Sequence, residues 1–167
     1  MAVTDRRPLV LIDVDGVVNR ARFLSSRQRD RLVRSGQGWV STWSGERHYS
    51  SRIVTTRAYG RMLLPLAERA ELAWATTWTA EANWRIGPLI GLPELRYSPV
   101  SDKGGKAACA VAFTEGRPWA WLDDTQEELA LASALSRGRP HLPVLVSRET
   151  GLVQENVDEV AAWLEGL

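Results

Sequence analysis

The sequence has a single cysteine, Cys109, among its 167 residues, so an internal disulfide is impossible and a reducing compartment suits the chain. Its two histidines, His48 and His141, are far apart in sequence and do not form a pattern of metal ligands. No apolar run is long enough to cross a membrane, and Asp13 and Asp15 interrupt the first one too early for a signal peptide. We therefore expect a cytoplasmic protein without a membrane partner.

Internal repeats, low-complexity segments and linker-like stretches are also lacking. The apolar and charged fractions of 44% and 25% are ordinary for a globular protein. A chain of this length can bury a sizeable core. We expect one domain covering residues 1–167, and the oligomeric state stays open.

Lysine is scarce, since Lys103 and Lys106 are the only two, and arginine supplies nearly all positive charge. The net charge of +1 conceals an asymmetry: residues 1–70 hold 13 arginines and 6 acids, whereas residues 71–167 hold 8 basic residues and 14 acids. Six arginines crowd into fifteen positions: Arg20, Arg22, Arg27, Arg29, Arg31 and Arg34. They form either an ordinary solvated surface or a patch that faces phosphate or nucleic acid.

The most informative stretch follows Pro8. Four apolar residues, Leu9–Ile12, predict a strand buried on both faces, and Asp13, Asp15 and Gly16 come directly after it. Carboxylates at i and i+2 of an extended chain point the same way, and glycine allows a sharp turn behind them. The two acids are either simple turn formers or ligand-binding groups at the carboxyl end of a strand, where open α/β sheets bind ligands.

Residues 20–57 predict a small insert after this strand. Gly38–Trp43 and His48–Thr55 alternate apolar with polar residues around a turn at Ser44–Gly45, which is typical of a β-hairpin. Beside an active site, Trp39 and Trp43 of such a flap would be available to a substrate.

The rest of the chain alternates helical and strand patterns. A helix is predicted over 57–70, with Pro65 implying a kink or a late start, and others over 80–86, 106–113, 126–136 and 157–164. Further strands are predicted over 72–76, 95–100, 118–122 and 142–146. This alternation predicts an α/β fold, a Rossmann-like three-layer α/β/α arrangement around a central parallel sheet.

Polar side chains end three of these strands, namely Asp13 with Asp15, Thr76 with Thr77, and Asp123 with Asp124. A lysine opens the helix between the last two strands. Because the carboxyl ends of parallel strands share one edge of a sheet, these groups can converge. Four carboxylates need a cation to offset their repulsion, and Mg²⁺ with its oxygen ligands is the natural partner. The hydroxyl and the ammonium would then contact an anionic phosphoryl group.

At these positions the sequence resembles the haloacid dehalogenase (HAD) superfamily. Asp13–Val17 is similar to its first motif, Thr76 to its second, Lys106 or Lys103 to its third, and Asp123–Asp124 to its fourth. The resemblance implies a Rossmann-like sheet and phosphate-ester hydrolysis through an aspartyl-phosphate. The tryptophan-rich runs Trp74–Trp78 and Trp119–Asp124 also resemble small phosphatase-like proteins grouped with the HAD domains of RNA-repair proteins.

The resemblance also implies a role for each residue. Asp13 would be the nucleophile and a metal ligand. Asp15 would protonate the leaving oxygen, then activate water, and its backbone carbonyl would bind the metal. Thr76, with Thr77 behind it, would bind phosphoryl oxygens.

The third and fourth motifs would complete the site. Lys106 would neutralise charge on the nucleophile and phosphate, and we prefer it to Lys103 because it lies nearer the start of the alanine-rich helix. Asp123 and Asp124 would complete the metal site.

The short insert implies an open site that admits phosphate groups on large molecules, such as 3′-phosphate ends of nucleic acids. Three rivals belong to other classes: a response-regulator receiver, a metal-dependent nuclease and a non-catalytic binding protein. The order of the motifs disfavours the receiver, which places an acid pair first and its lysine last. A nuclease would use the four carboxylates without needing Thr76 or Lys106. The presence of both first-motif aspartates, Asp13 and Asp15, argues against loss of chemistry.

Overall fold

The computed structural model describes residues 7–34, 39–44, 50–100 and 105–167. The strands are β1 (Leu9–Ile12), β2 (Trp39–Ser44), β3 (Ser50–Thr55), β4 (Glu71–Trp74), β5 (Arg96–Tyr97), β6 (Trp119–Asp123) and β7 (His141–Leu145). The helices are α1 (Ser26–Arg34), α2 (Arg57–Leu63), α3 (Glu81–Arg85), α4 (Gly87–Ile90), α5 (Gly105–Phe113), α6 (Gln126–Leu135) and α7 (Gln154–Glu165), with a 3-10 helix at Leu64–Glu68.

Five strands form a parallel sheet in the order β5-β4-β1-β6-β7. The predicted α/β fold with a central parallel sheet is confirmed. β1 lies in the middle, where Ile12 is level with Trp74 of β4 and with Leu122 of β6. The carboxyl ends of these three strands therefore meet at one edge of the sheet.

The central strand is apolar throughout because helices cover both faces of the sheet. Val10 and Ile12 point into a core shared with α2, α3, α4 and α7. Leu9 and Leu11 point the other way, into a second core shared with α5 and α6. The alternation of side chains along one strand thus accounts for the three layers.

The predicted hairpin is confirmed in its strand pairing. β2 and β3 are antiparallel, with Trp39 opposite Thr55 and Ser44 opposite Ser50. The backbone N–H of Arg20 donates to the carbonyl of Val54 at 3.0 Å, which attaches the base of the hairpin to the segment after β1. The side chains of Trp39 and Trp43 lie outside the described residues, so their predicted exposure to substrate stays a prediction.

Three local predictions are refined by the structure. Near Pro65 the helix tightens into the 3-10 turn, because proline removes a backbone donor yet is tolerated in a first turn. Gly87 and Pro88 begin the short α4 instead of only ending α3. The strand predicted over 95–100 forms only at Arg96–Tyr97.

The other edge strand, β7, contains Pro143, which is suited to an edge because it has no N–H to donate to a further strand. Among the described residues, no helix combines the length and the apolar character needed to span a bilayer.

Candidate active site

The candidate site lies where β1, β4 and β6 end. The N–H of Asp13 donates to the carbonyl of Leu122 at 3.0 Å, and the N–H of Ala75 donates to the carbonyl of Ile12 at 2.9 Å. These bonds extend the ladders beyond the strands and fix the backbone on both sides of Asp13. The structure thus brings the first, second and fourth predicted motifs to one edge.

Lys106 joins two of the aspartates. Its Nζ lies 2.7 Å from Oδ2 of Asp13 and 2.6 Å from Oδ2 of Asp123. The same ammonium lies 5.4 Å from the centre of the Trp121 ring. Because all three ionic groups are largely buried, this contact acts in a medium of low polarity, where charge-assisted hydrogen bonds are strong.

The helix that carries Lys106 is held by a side chain of the next helix. Oε2 of Glu128, on α6, accepts a hydrogen bond from the N–H of Ala107 at 2.8 Å, within the first turn of α5. This bond satisfies a helix donor without an intrahelical partner and fixes the start of α5 beside the site. The alternative lysine, Lys103, lies outside the described residues.

Three carboxylates converge at the edge. Oxygen atoms of Asp13, Asp123 and Asp124 all lie within 4.8 Å of one another. Hard cations such as Mg²⁺ prefer this kind of oxygen donor, and the cluster could hold such an ion. Lys106 and Arg148 bring two positive charges to three negative ones, so the donor set fits a bound cation.

Burial governs the electrostatics of the cluster. Burial raises the pKa of Asp13 to about 7, the charge of Lys106 acts against this rise, and the nearby Asp123 adds to it. Burial also raises the pKa of Asp123, although Lys106 opposes that shift as well. For Lys106, burial would lower the pKa, but the two carboxylates outweigh it and raise the pKa above its usual value. Burial therefore opposes ionisation of both carboxylates, and the charge of Lys106 favours it.

Asp124 is held by a neighbouring loop. Nε of Arg148 lies 3.2 Å from Oδ2 of Asp124, and a second guanidinium nitrogen donates to the Asp124 carbonyl at 3.1 Å. The same guanidinium lies 5.1 Å from the centre of the Phe23 ring. Oδ1 of Asp124 accepts from the Thr125 hydroxyl at 3.2 Å. Arg148 thus orients one of the three carboxylates.

The side chain of Asp15 has partners of its own. Its Oδ1 accepts a hydrogen bond from Nδ2 of Asn19 at 3.0 Å. Its Oδ2 accepts one from the indole N–H of Trp78, also at 3.0 Å. The Asp15 carboxylate is thus turned toward these donors, and the acidic cluster is formed by Asp13, Asp123 and Asp124.

The two predicted threonines differ in burial. Thr76 is buried, and its Oγ1 accepts from the N–H of Trp78 at 3.4 Å, whereas Thr77 is exposed. Both follow β4 at the same edge as Asp13. Their contact with phosphate stays a prediction.

Sequence reasoning missed Asn19, Trp78 and Arg148, which touch the candidate site residues directly. A weak signal exists for Asn19, because a polar residue directly after Val17–Val18 in an apolar stretch needs a buried partner. Trp78 comes two residues after Thr76, but nothing in its spacing indicates which residue its indole contacts. Arg148 is distant in sequence from every motif and carries no such signal.

The described arginines are divided between structural and solvent-facing roles. Arg27, Arg31 and Arg34 of α1 are exposed. Arg29 instead donates to the carbonyl of Leu24 at 2.7 Å and to the hydroxyl of Ser26 at 3.0 Å. Only some of the predicted patch is thus directed to solvent.

No protein-family model and no curated protein matches this sequence. Among solved structures, a hypothetical protein from Xanthomonas campestris is similar, with a TM-score of 0.51 and 16% identity over 97% of this chain and 85% of that one. A 3-deoxy-D-manno-octulosonate 8-phosphate phosphatase from Yersinia pestis has a TM-score of 0.47 and 14% identity over 95% of this chain and 83% of its own. The likeness to the Xanthomonas protein shows a shared fold.

Proposed function

We propose that this protein is a HAD-like, Mg²⁺-dependent phosphohydrolase that cleaves phosphate monoesters through an aspartyl-phosphate. The observation that carries the proposal is the bridge from Lys106 to Asp13 and Asp123 inside a carboxylate cluster. A nucleophilic carboxylate, a cation site and an ammonium are then adjacent, as phosphoryl transfer requires. A nuclease of the acidic-cluster type would have no use for the lysine bridge.

In the first half-reaction, an oxygen of Asp13 attacks phosphorus and forms the new P–O bond, while the bond to the leaving oxygen breaks. Asp15 gives its proton to that leaving oxygen, which departs as an alcohol. Thr76 donates a hydrogen bond to the phosphoryl oxygens, and Lys106 offsets their negative charge. Thr77, at the same edge, is a second hydroxyl donor for the substrate.

In the second half-reaction, Asp15 accepts a proton from water, whose oxygen attacks phosphorus as the bond to Asp13 breaks. Inorganic phosphate is released, and both aspartates return to their starting state. Asp13, Asp123, Asp124 and the backbone carbonyl of Asp15 would hold the Mg²⁺. When bound, the ion supplies charge neutralisation for the nucleophile and the phosphoryl group.

The small hairpin insert and the exposed arginines support a proposal for the substrate class. With only a short hairpin inserted after the first motif, we expect an open site that admits a phosphate on a large molecule, and we propose nucleic-acid 3′-phosphate ends as the first class to test. Arg27, Arg31 and Arg34 would contact neighbouring backbone phosphates, with affinity that falls as salt rises. Replacing the three with glutamine should weaken binding of a short oligonucleotide at low salt. The same triple variant should keep turnover of a small phosphate ester.

The decisive experiment measures phosphate release from small aryl phosphates and from 3′-phosphorylated oligonucleotides, with Mg²⁺ and with EDTA. We expect turnover that EDTA abolishes and that Mg²⁺ restores. Asp13→Asn should abolish phosphate release without unfolding the domain, whereas Asp158→Asn, an exposed carboxylate on α7, should leave it unchanged. Fluoroberyllate should bind the wild-type protein and not Asp13→Asn. Strand cleavage without phosphatase activity would instead identify a nuclease.

A further inference from the structure

The carboxylate of Asp15 is held from two sides by donors that come from different parts of the fold. Asn19, after the turn at Gly16, donates to Oδ1, and the indole N–H of Trp78, in the loop after β4, donates to Oδ2. Both distances are 3.0 Å, within the range of good hydrogen bonds. Each carboxylate oxygen retains a second lone pair for a proton.

Both donors are themselves fixed. Asn19 is fully buried, and its Oδ1 accepts from the N–H of Val54 at 2.9 Å and of Ala21 at 3.2 Å. Because both backbone N–H groups need an acceptor, the amide oxygen of Asn19 must face them, and its NH₂ group must therefore face Asp15. Trp78 packs its ring against the core next to the sheet, while its backbone N–H donates to Oγ1 of Thr76.

From this arrangement we infer that Trp78 is a positioning residue for proton transfer by Asp15. The inference rests on the proposed function, in which Asp15 protonates the leaving oxygen and later takes a proton from water. A general acid acts efficiently only when its oxygen lies within hydrogen-bond reach of the departing atom. The indole N–H, together with the amide of Asn19, restricts rotation of the Asp15 carboxylate about its terminal bond.

The kinetic test compares two esters in Trp78→Phe, which keeps an aromatic ring and removes the N–H. β-Glycerol phosphate has a poor leaving group that needs a proton, whereas p-nitrophenyl phosphate has a good one that leaves without it. Since kcat/KM reports transition-state stabilisation relative to free enzyme and substrate, it includes the protonation of the leaving oxygen. Losing one hydrogen bond to a carboxylate should lower kcat/KM for the glycerol ester about fivefold. For the nitrophenyl ester, kcat/KM should change less than about twofold, because its leaving oxygen departs without a proton from Asp15.

The matched control is Trp84→Phe, because Trp84 is 70% exposed and lies on α3, whereas Trp78 lies in the loop before that helix. Trp84→Phe should leave both esters unchanged. An equal loss for both esters in Trp78→Phe, or no loss for either, would overturn the inference, because a packing defect does not discriminate between leaving groups.

A second measurement separates this inference from the proposed function. In protein labelled with ¹⁵N at tryptophan, the Trp78 indole resonance is the one missing from Trp78→Phe. Asp15→Ala should shift that resonance and accelerate its hydrogen exchange at least severalfold, while the Trp84 resonance stays in place. An unshifted Trp78 resonance overturns the contact, whatever the activity. A shifted resonance in a protein without phosphatase activity keeps the contact and rejects the proposed function, and with it the role in proton transfer.

Discussion

A Cβ atom placed on Gly16 would lie 2.3 Å from Oδ2 of Asp124, well inside van der Waals contact. Gly16 also has a φ of +81°, in the left-handed region that glycine adopts without strain. The turn at Gly16 and the carboxylate of Asp124 therefore occupy adjoining space. The two residues are over a hundred positions apart in sequence. Position 16 nevertheless has to be glycine, because its backbone approaches the carboxylate of Asp124.

The first prediction follows from that contact. Gly16→Ala should destabilise the protein by about 1 kcal/mol from the backbone alone, and by more in total because Asp124 must move. The displaced carboxylate should also weaken Mg²⁺ binding. Thermal unfolding with and without Mg²⁺ measures both effects.

The matched control is Gly91→Ala. Gly91 has a φ of +83°, and a Cβ placed on it would meet no atom within 4 Å, so the variant should reproduce the backbone strain and leave Mg²⁺ binding intact. Equal Mg²⁺ effects in the two variants would contradict the prediction.

The second prediction concerns Lys106. Lys106→Met leaves Asp13 and Asp123 buried without their shared partner, and removal of one member of a buried ion pair costs about 3 kcal/mol. We expect this loss in denaturant unfolding of the protein in EDTA, together with loss of phosphatase turnover. Mg²⁺ should recover more stability in this variant than in the wild type, because the cation then replaces the missing charge.

Lys103→Met is the control for Lys106→Met, since Lys103 is the other lysine that the third motif can accommodate. It should retain both stability and turnover. If Lys103→Met loses turnover while Lys106→Met keeps it, the assignment of the motif lysine is reversed.

The third prediction is a pH dependence of the protein in EDTA. The pKa of Asp13 rises from 3.8 to about 7 on folding, chiefly because the carboxyl is buried. Between those two values the native state keeps a proton that the unfolded state has released, so the free energy of unfolding should fall as the pH rises from about 4 to about 7. Urea unfolding at a series of pH values measures this decline.

Mg²⁺ should change that pH dependence. Binding requires the ionised carboxylate, so apparent affinity should increase with pH up to about 7 and then level off. Calorimetric titration of Mg²⁺ at each pH gives the affinity, and saturating Mg²⁺ should abolish the loss of stability on the alkaline side. An affinity that does not vary between about pH 5.5 and pH 7 would be incompatible with a buried, protonated Asp13.

The parts of the fold that sequence can predict are those decided by local patterns. The apolar run ending at Ile12 predicts a strand buried on both faces, and the alternation of helical and strand patterns outside the hairpin insert predicts a parallel sheet. Once the sheet is parallel, the positions of Asp13, Thr76 and Asp123 at one edge follow without any knowledge of side-chain packing.

The sequence could not predict contacts between side chains that are not related by a helical or strand period or by a motif spacing. The indole of Trp78 reaches Asp15 across 63 positions, and Arg148 reaches Asp124 from the loop after β7. Neither partner is selected by period or spacing, because a single hydrogen bond depends on rotamers and on the exact path of two loops. The short α4 was missed for a local reason, since Pro88 ends a helix as readily as it begins one.

An ion pair away from the candidate site carries the last prediction. Arg117 is only 8% exposed, and its guanidinium donates to Oε2 of Glu71 at 2.6 Å. Glu71 also meets Arg96, whose side chain is 53% exposed, at 3.2 Å through Oε1. Glu71 begins β4, and Arg117 lies two residues before the start of β6, so the pair links segments on the two sides of the central strand.

Glu71→Gln should destabilise the protein by about 2 kcal/mol at neutral pH, because a buried guanidinium loses its carboxylate. Partial burial pushes the pKa of Glu71 upward, but the hydrogen bond and charge of Arg117, aided by Arg96, outweigh it and hold the pKa below 4.5. The stabilisation is therefore complete above pH 4.5 and is lost as the pH falls through the lowered pKa. Urea unfolding should show the difference in free energy of unfolding between the wild type and Glu71→Gln shrinking in that acidic range.

The control is Arg96→Gln, which removes the exposed partner alone and should cost about 0.5 kcal/mol or less. Equal costs for Glu71→Gln and Arg96→Gln would show that the buried Arg117 contributes no more than the exposed Arg96.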